Sequence, residues 1–427
     1  MLGSILKVVQ GWVKIKGNTD GSFIGNVGDR LKTDVTFNQN DYISGSFGSL
    51  RVITTQNIFE SLFSFDKQPL IWDEQVSGGG SATWNPNTKS IDMTVPTTNG
   101  ASVVRQTFRR IRYNPSRTVQ VLAAGVLGAP KTNVRKRIGQ FDSLDGLFIE
   151  TDGTTVNFVR RTSTSGSTVD VKTPQSSWNI DKFDGSGPSG VTIDFTKHHL
   201  FFSQYAFQGF GHIVYGFYID SRIMYAHREK VANILSVPSM RTAHLPCRVE
   251  ITNTGTSASP TTLSYTSFAV KNEGEDAEQE GQVLSYSSAP IKTVSTTVTP
   301  VLSVRLASGY ERAIADIIRA SVFVQTADEV IWSLHVNPTL TGATFAVSAS
   351  YTVVDTAATA MTGGTEILSG ILAQKDSSAD LSSEILKFAN SFLGSSIAGV
   401  NSIITLAARS RVGSADVLST LVWREYP

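Results

Sequence analysis

The amino-acid sequence predicts a mainly β protein, in which an antiparallel jelly-roll-like sandwich is followed by a second β domain with one short helix. Many short segments alternate apolar and polar residues with a period of two, which is typical of strands with one buried face. Turn-forming pairs such as Asp152-Gly153 recur about every 8–12 residues, as in two-sheet antiparallel sandwiches. Charged residues make up only 17% of the chain, and threonine, whose branched Cβ packs well on a pleated surface, is frequent in the predicted strands.

A chain of 427 residues is too long for one hydrophobic core, and we expect three parts. Residues 1–55 are predicted to form an N-terminal attachment region of short strands. Residues 12–16 alternate with period two, turn signals follow at Asp20-Gly21, and residues 31–37 give another strand. Because this region has little core of its own, we expect it to dock onto a neighbour, with Trp12, Phe23 and Ile24 as anchors.

Residues 56–285 are predicted to form the central jelly-roll-like sandwich. Residues 55–65 suit one short helix, because Phe59, Leu62 and Phe63 would share a face. The remaining segments alternate like strands, and two pairs of them flank hairpin turns at 152–153 and 220–222. The predicted strands are 82–84, 90–95, 102–113, 118–126, 146–150, 156–161, 212–219, 223–227, 248–253 and 263–271.

Residues 286–427 are predicted to form the C-terminal β domain. The acidic run at 272–281 precedes it and is interpreted as a solvated loop between domains. Strands are predicted at 293–306, 320–325, 330–337, 344–354, 403–408 and 417–423. A helix is predicted at about 380–393, where Leu381, Ile385, Leu386 and Phe388 fall on one stripe and Gly394 is placed to end it.

Composition limits the classes of partner. The formal net charge is +1, so no global field draws the chain to nucleic acid or to an anionic membrane. The one cysteine, Cys247, excludes an intrachain disulfide framework and a cysteine-based zinc cluster. The N-terminal residues lack the pattern of a secretory signal, and no segment reaches about 18 apolar residues, so we expect a soluble protein without an anchor.

Motifs for catalysis or cofactor binding are absent from the sequence, which lacks GxSxG, GxxxxGK[ST] and HExxH. We therefore predict no enzyme activity, no catalytic residues, no cofactor and no bound metal. Asp142, Asp145 and Asp152 could supply oxygen ligands to calcium, but their Asp-Gly pairs are equally explained by turn preference. The acids of a glycosidase pair also stay open, since nothing selects among Asp142, Glu150, Asp181 and Asp194.

Three further clusters have a structural and a functional interpretation. His212 and His227 bracket a predicted hairpin and would be cross-strand neighbours, but no carboxylate completes a metal site. The basic runs 105–112 and 131–137 resemble an interface or a solvated sheet face more than a phosphate groove. Aromatic residues crowd positions 195–225, where they would either pack in the core or stack on sugar rings.

Several stretches resemble structural proteins of tailed bacteriophages, most densely over about residues 110–255. They are YNPSR (113–117), NVRKRIGQFD (133–142), GLFIE (146–150), VRRTS (159–163), WNIDKFDGSGPSG (178–190) and YGFYID (215–220). Residues 20–29 also resemble short β motifs of phage tail and fibre proteins. These are packing and turn motifs, so the resemblance implies assembly into a virion and no reaction.

The sequence therefore predicts a non-enzymatic structural component of a tailed-phage virion, with a tail, fibre or adaptor part favoured. Its partners would be other virion proteins and copies of itself, held through interfaces of about 2,000 Å² or more. A capsid decoration or head-fibre protein is one alternative. A receptor-binding protein that recognises host-surface glycan through the aromatic-rich sandwich is another.

Overall fold

The computed structural model describes residues 5–8, 11–14, 55–115, 117–207, 211–274, 281–326, 329–347, 351–373, 377–380 and 392–426. The chain forms two compact units, Met1–Ile53 and Thr54–Pro427. In the first unit, β1 (Ile5–Val8) and β2 (Gly11–Lys14) form an antiparallel pair, in which Trp12 lies opposite Lys7. The predicted anchors Phe23 and Ile24, and the strand predicted at 31–37, lie outside the described residues.

The second unit begins with two large antiparallel sheets that pack face to face. Their strands are β3 (Thr55–Leu62), β4 (Trp72–Ser77), β5 (Ser81–Asn85), β6 (Ser90–Val95), β7 (Ser102–Thr107), β8 (Val119–Val126), β9 (Val134–Phe141), β10 (Gly146–Asp152), β11 (Thr155–Thr162), β12 (Val169–Pro174), β13 (His199–Tyr205), β14 (His212–Ile219), β15 (Arg222–Lys230), β16 (Cys247–Asn253) and β17 (Thr261–Glu273). A short 3-10 helix, Gln175–Ser177, follows β12. We call this body the central sandwich.

The order of the strands in the two sheets defines the topology of the central sandwich. The seven-stranded sheet has the order β12-β11-β10-β9-β16-β7-β4. The eight-stranded sheet has the order β15-β14-β13-β8-β17-β6-β5, and β3 also pairs with β17. All of these pairings are antiparallel, so the structure confirms the predicted mainly β, jelly-roll-like class.

Alternate residues of both sheets fill one core, as the period of two predicts. Phe158 of β11 lies between Trp178 and Tyr215, with ring centroids 4.2 and 4.7 Å away. At the other end of the core, Trp72 and Tyr265 pack together with centroids 5.7 Å apart. Aromatic rings therefore join the two sheets along the length of the sandwich.

In the described part of residues 281–426, fourteen further strands form a second body, which we call the C-terminal sandwich. They are β18 (Gln282–Ser287), β19 (Lys292–Val294), β20 (Thr299–Leu306), β21 (Ile314–Val324), β22 (Val330–Val336), β23 (Thr339–Thr341), β24 (Ala346–Val347), β25 (Thr352–Asp355), β26 (Ala360–Thr362), β27 (Thr365–Leu372), β28 (Ser378–Asp380), β29 (Phe392–Leu393), β30 (Ile403–Ser410) and β31 (Ala415–Tyr426). One six-stranded sheet has the order β18-β31-β21-β28, with β19 on β31 and β29 on β21. The other has the order β24-β25-β20-β30-β22-β27, and β23 pairs with β26. The three-part division proposed from the sequence stays a prediction.

One helix prediction is wrong and the other is not tested along most of its length. Residues 55–62 form β3, not a helix, because Phe59, Ser61 and Phe63 are buried while Glu60 and Leu62 are exposed, which is a period of two. For the helix predicted at about 380–393, residues 381–391 lie outside the described residues. The flanking residues form β28 and β29, and the described residues contain no α-helix.

Four charged side chains join the two sandwiches, and we call them the interface ion cluster: Arg110, Asp142, Asp145 and Arg312. Arg312 of the C-terminal sandwich places Nη1 2.9 Å from Oδ2 of Asp145 and Nη2 2.9 Å from Oδ2 of Asp142. Arg110 places Nη1 2.6 Å from Asp142 Oδ2 and donates through Nε to the carbonyl oxygen of Glu311. The charges are therefore paired across the junction.

Residues 108, 109 and 112 of the predicted basic run 105–112 also lie in this junction, whereas Arg105 is buried in the core of the central sandwich and donates to the hydroxyl of Tyr265. The guanidinium of Arg109 lies 3.7 Å from the ring centroid of Phe392, and that of Arg112 lies 4.6 Å from the ring of Tyr426. The backbone N–H of Ser395 donates to Phe108. Part of this run thus lies in an interface within the chain, and its contact with another protein stays a prediction.

Candidate ligand-binding face of the central sandwich

Three strands place aromatic side chains on the outer face of the eight-stranded sheet. In β13, Phe201 and Tyr205 point into the core, so Phe202 points outward. Pairing sets Phe202 opposite Gly216 of β14, and Gly216 opposite Tyr225 of β15. One row across the sheet therefore holds two aromatic rings separated by a glycine.

Gly216 lies at a bulge, where the register of the β14–β15 pairing shifts between Tyr215 and Gly216. The absence of a side chain at this position allows the row to form. A Cβ atom on Gly216 would lie 2.2 Å from the carbonyl oxygen of Met224, so a larger residue would push β15 away. The glycine thus keeps Tyr225 close to the sheet.

The aromatic rings form one cluster with an exposed edge. The ring of Phe202 lies 6.3 Å from that of Tyr218, which is in the next row, and 6.0 Å from that of Tyr225. Phe202 is fully buried, Tyr218 is half-buried and Tyr225 is 42% exposed. Burial, with the nearby Tyr225 hydroxyl, raises the pKa of Tyr218, so its hydroxyl stays protonated and available as a donor.

A polar row adjoins the aromatic row. Gln120 of β8 lies opposite Gln204 of β13, and each donates through Nε2 to Oε1 of Glu273 over 3.1 Å. Within the described residues, the side-chain carbonyl oxygens of both glutamines accept no hydrogen bond, and the hydroxyls of Tyr218 and Tyr225 make none. We call Gln120, Phe202, Gln204, Tyr218, Tyr225 and Glu273 the tyrosine face.

The aromatic residues of the run 195–225 divide between the two sides of the sheet, and stacking on sugar rings stays a prediction. Phe195, Phe201, Tyr205, Tyr215 and Phe217 lie in the core, whereas Phe202, Tyr218 and Tyr225 lie on the tyrosine face. The polar residues of the tyrosine face, Gln120, Gln204 and Glu273, were not predicted from the sequence. The alternation in HLFFSQY already puts Gln204 on the side of Phe202, but Glu273 was assigned to the acidic loop, although β17 continues through it.

The predicted histidine pair does not form. His212 lies opposite Lys230, and His227 lies opposite Tyr215, because the bulge shifts the β14–β15 register. Burial lowers the pKa of both imidazoles, so they are neutral at pH 7. Within the described residues no group of three His, Cys, Asp or Glu side chains is placed to hold a metal ion.

The three aspartates considered for calcium are divided. Asp142 and Asp145 lie together in the interface ion cluster, whereas Asp152 is at the other end of β10 and pairs with Lys172 over 2.7 Å. Burial opposes the ionisation of Asp142, but Arg110, Arg312 and two backbone N–H groups outweigh it and hold the pKa of the carboxyl below its ordinary value. Arginine thus occupies the position that calcium would need.

The acids considered for glycoside hydrolysis are also separated. Glu150 lies on the outer face of the seven-stranded sheet, where Arg137 pairs with it over 2.6 Å and with Glu250, an acid that the sequence did not single out, over 2.9 Å. Burial opposes the ionisation of Glu250, but Arg248 and Arg137 lower its pKa overall, which is opposite to what a general acid requires. Asp181 and Asp194 accept hydrogen bonds from the backbone of their own loops.

No helix in the described part of the chain has the length and apolarity to cross a membrane.

Comparison with known proteins gives likeness of fold only. No protein-family model matches the chain, and no curated protein matches it. Similar solved structures include the CBM2 module of the evolved Dit of Lactobacillus casei BL23 phage J-1, at 8% identity and a TM-score of 0.32, covering 53% of this chain and 99% of the module. A legume lectin-like domain from Entamoeba histolytica has 10% identity and a TM-score of 0.29, covering 50% of this chain and 97% of the domain.

A third similar structure is a glycosyl hydrolase family protein from Mycobacterium fortuitum, at 9% identity and a TM-score of 0.32, covering 50% of this chain and 99% of that protein. All three TM-scores lie below 0.5 and all three identities below 25%. The likenesses therefore carry no inference about what this chain binds or does.

Proposed function

We propose that this chain is a non-enzymatic structural protein of a tailed-phage virion that recognises carbohydrate through the tyrosine face. The main support is the geometry of that face. An exposed ring, Tyr225, lies on the same face of the sheet as Gln120 and Gln204, whose side-chain carbonyl oxygens are free and whose amides donate to the carboxylate of Glu273.

This arrangement suits an oligosaccharide better than a single pyranose ring, because two strand spacings, about 10 Å, separate Tyr225 on β15 from Gln204 on β13. The C–H groups of one sugar face stack on an aromatic ring, which gives apolar contact at little conformational cost. The hydroxyl groups at the sugar edge both donate and accept, so they match amide and carboxylate groups of the kind on Gln120, Gln204 and Glu273. Because Glu273 already accepts from both glutamines, their free oxygens are held in place before a ligand arrives.

The same face lacks the pair of acids that hydrolysis requires. Glu60, the other carboxylate that β3 and β17 place on this side, pairs with Ala269, four residues from Glu273 along β17. That separation is about 13 Å from the strand rise, outside the roughly 5–9.5 Å window of glycosidase acids. In the described residues of the face, Glu273 has no second carboxylate to act with, which supports binding without cleavage.

The virion assignment is supported by the resemblance of about residues 110–255 to tailed-phage structural proteins. We favour a tail, fibre or adaptor part, with a capsid decoration or head-fibre protein as the alternative. Its partners would be other virion proteins and copies of itself. The N-terminal region would attach it to the particle, with Trp12, Phe23 and Ile24 as anchors. The sugar ligand would be a glycan of the host surface.

Replacing Tyr225 with alanine tests the carbohydrate proposal. We expect at least about tenfold weaker binding to the best ligand from a glycan array, because the exposed stacking surface is lost. Isothermal titration of the purified full chain measures the change. Tyr310→Ala is the matched control, since Tyr310 is 49% exposed but belongs to the C-terminal sandwich.

Two results would contradict carbohydrate recognition. One is an array and a set of host-surface polysaccharides with no binder above background. The other is a ligand whose affinity falls equally in Tyr225→Ala and Tyr310→Ala, since the tyrosine face would then not be its site.

Immunogold labelling of purified particles tests the structural role separately. We expect label on the tail or its fibres, and loss of label when residues 1–50 are deleted. Label over the head would favour the decoration alternative. Particles that never carry the protein, or that incorporate the deletion variant normally, would refute the virion role or the attachment region respectively.

A further inference from the structure

Two outer strands of the central sandwich, β12 and β15, are protected against association. An edge strand exposes unpaired N–H and C=O groups, and proteins limit unwanted pairing there with charged residues and proline. Strand β12 contains Asp170, Lys172 and Pro174 within six residues. Strand β15, at one edge of the other sheet, contains Arg222, Arg228, Glu229 and Lys230. Both edges therefore disfavour pairing with another chain.

Strand β27 in the C-terminal sandwich lacks proline and has little charge, although its register with β22 shifts between Glu366 and Leu368. It is eight residues long, reads TEILSGIL, and has Glu366 as its one charge. Strand β22 pairs with one side of it, and no described strand pairs with the other. Ile371 is 69% exposed and lies opposite the half-buried Ile331 on β22, so the edge carries an apolar surface as well as free backbone groups.

Strands β18 and β5 are uncharged edges with six and five residues. Strand β3 is a longer edge, which in the described residues pairs with β17 alone, has eight residues and carries one charge, Glu60. Its most exposed apolar side chain, Leu62, is 59% exposed, against 69% for Ile371. Among the described edges, β27 thus combines length and low charge with the most exposed apolar side chain.

The pattern of β27 also suits a second copy of itself. In two antiparallel copies related by a twofold axis, only the residue on the axis lies opposite its own counterpart, so that an axis at Ser369 places Glu366 opposite Leu372 of the second copy. Because Glu366 lies near one end, the two Glu366 carboxylates would then be about 20 Å apart from the strand rise. The single charge therefore does not oppose antiparallel self-pairing, although it would oppose parallel pairing.

We propose that β27 pairs with β27 of a second copy, so that two six-stranded sheets become one continuous sheet across a twofold axis. The contact provides backbone hydrogen bonds and covers Ile371 in both copies. It does not depend on carbohydrate binding. Because one strand pair buries less surface than a standard stable interface, the free protein should associate in a concentration-dependent manner.

Sedimentation velocity of the full chain over a range of concentrations tests the proposal. We expect a monomer–dimer equilibrium, and at least about tenfold weaker association in the Ser369→Lys/Ile371→Lys variant. The matched control is Val169→Lys/Val171→Lys on β12, where both valines are exposed and the edge is already charged. Equal association in the two double variants, or a wild-type protein that stays monomeric throughout, would overturn the proposal.

Crosslinking gives a second measurement that does not rely on a destabilising change. Cys247 is buried and is the only cysteine, so an introduced thiol is the one accessible to reagent in the native chain. We expect a short bismaleimide to link Ser369→Cys chains into dimers and to leave Val171→Cys chains mostly unlinked. Similar dimer yields for the two variants would refute pairing at β27. Carbohydrate binding should be unchanged in both, which separates this test from that of the tyrosine face.

Discussion

Replacement of Asp145 with alanine is expected to lower the free energy of unfolding by about 3–5 kcal/mol, the range for removing one partner of a buried charge pair. The carboxylate of Asp145 is fully buried and accepts from four groups. Its Oδ1 accepts from the backbone N–H groups of Ser163 and Arg241, and its Oδ2 from Ser163 Oγ and Arg312 Nη1. Alanine would leave all four donors without their acceptor.

Asp152→Ala is the matched control, because both aspartates precede a glycine in a turn of the same sheet. The side chain of Asp152 is 36% exposed and, among the described residues, pairs with Lys172 alone, so we expect a loss below about 1 kcal/mol. Asp145→Asn keeps one acceptor oxygen and should fall between the two. Urea unfolding followed by tryptophan fluorescence measures all three. Similar losses for Asp145→Ala and Asp152→Ala would show that the interface ion cluster adds nothing beyond a surface contact.

The stability of the protein is expected to rise with pH through the titration of Lys136. This side chain is 1% exposed, and its Nζ donates to the carbonyl oxygens of Leu127 and Ala129 over 2.6 and 2.9 Å. Burial, with a smaller effect of Lys131, lowers the pKa of Lys136 to about 8. In the unfolded chain the pKa returns to its ordinary value of about 10.4.

The direction of this pH dependence follows from the number of protons that the folded and unfolded chains bind. Between pH 8 and 10.4 the unfolded chain binds more protons at this residue than the folded chain does, so raising the pH favours the folded state. From pH 7 to pH 10 the gain should be about 2.5 kcal/mol for Lys136 alone.

The measurement compares the wild-type protein with Lys136→Met by urea unfolding at several pH values. Other titrating groups are common to both proteins, so the difference between them isolates Lys136. Lys89→Met, at an exposed position, controls for loss of one positive charge. A wild-type minus Lys136→Met difference that does not change from pH 7 to pH 10 would contradict the prediction.

Alternation along the chain predicted the fold class and most strands, because a period of two decides which side chains face a core. It also contains the aromatic half of the tyrosine face, since Phe202 and Tyr225 sit between core residues of their strands. The incorrect helix prediction at 55–65 also came from the spacing of apolar residues. Phe59, Leu62 and Phe63 suit a helical stripe as well as a strand, and only pairing with β17 decides between them.

Register and long-range contacts were beyond the sequence. A single bulge in β14–β15 separates His212 from His227, although the hairpin itself was predicted. Gln120 and Glu273 are joined only because β8 and β17 pair, and Arg312 reaches Asp145 only because two sandwiches pack together. Such contacts depend on tertiary packing between distant segments, which local patterns do not encode.

The strand order of the central sandwich has a consequence for how the chain folds. Strand β16 lies between β9 and β7, and β17 lies between β8 and β6, so the last two strands of this sandwich enter the middle of the two sheets. Ser102 of β7 pairs with Thr252 of β16, and Ile91 of β6 pairs with Tyr265 of β17. These pairs can form only after the later strands have been synthesised. Until then, each sheet consists of two separate pieces with open inner edges. Folding dominated by such distant pairings is slow and leaves apolar strands exposed to aggregation. The yield of native protein should therefore rise when chaperones are present and when synthesis takes place at low temperature.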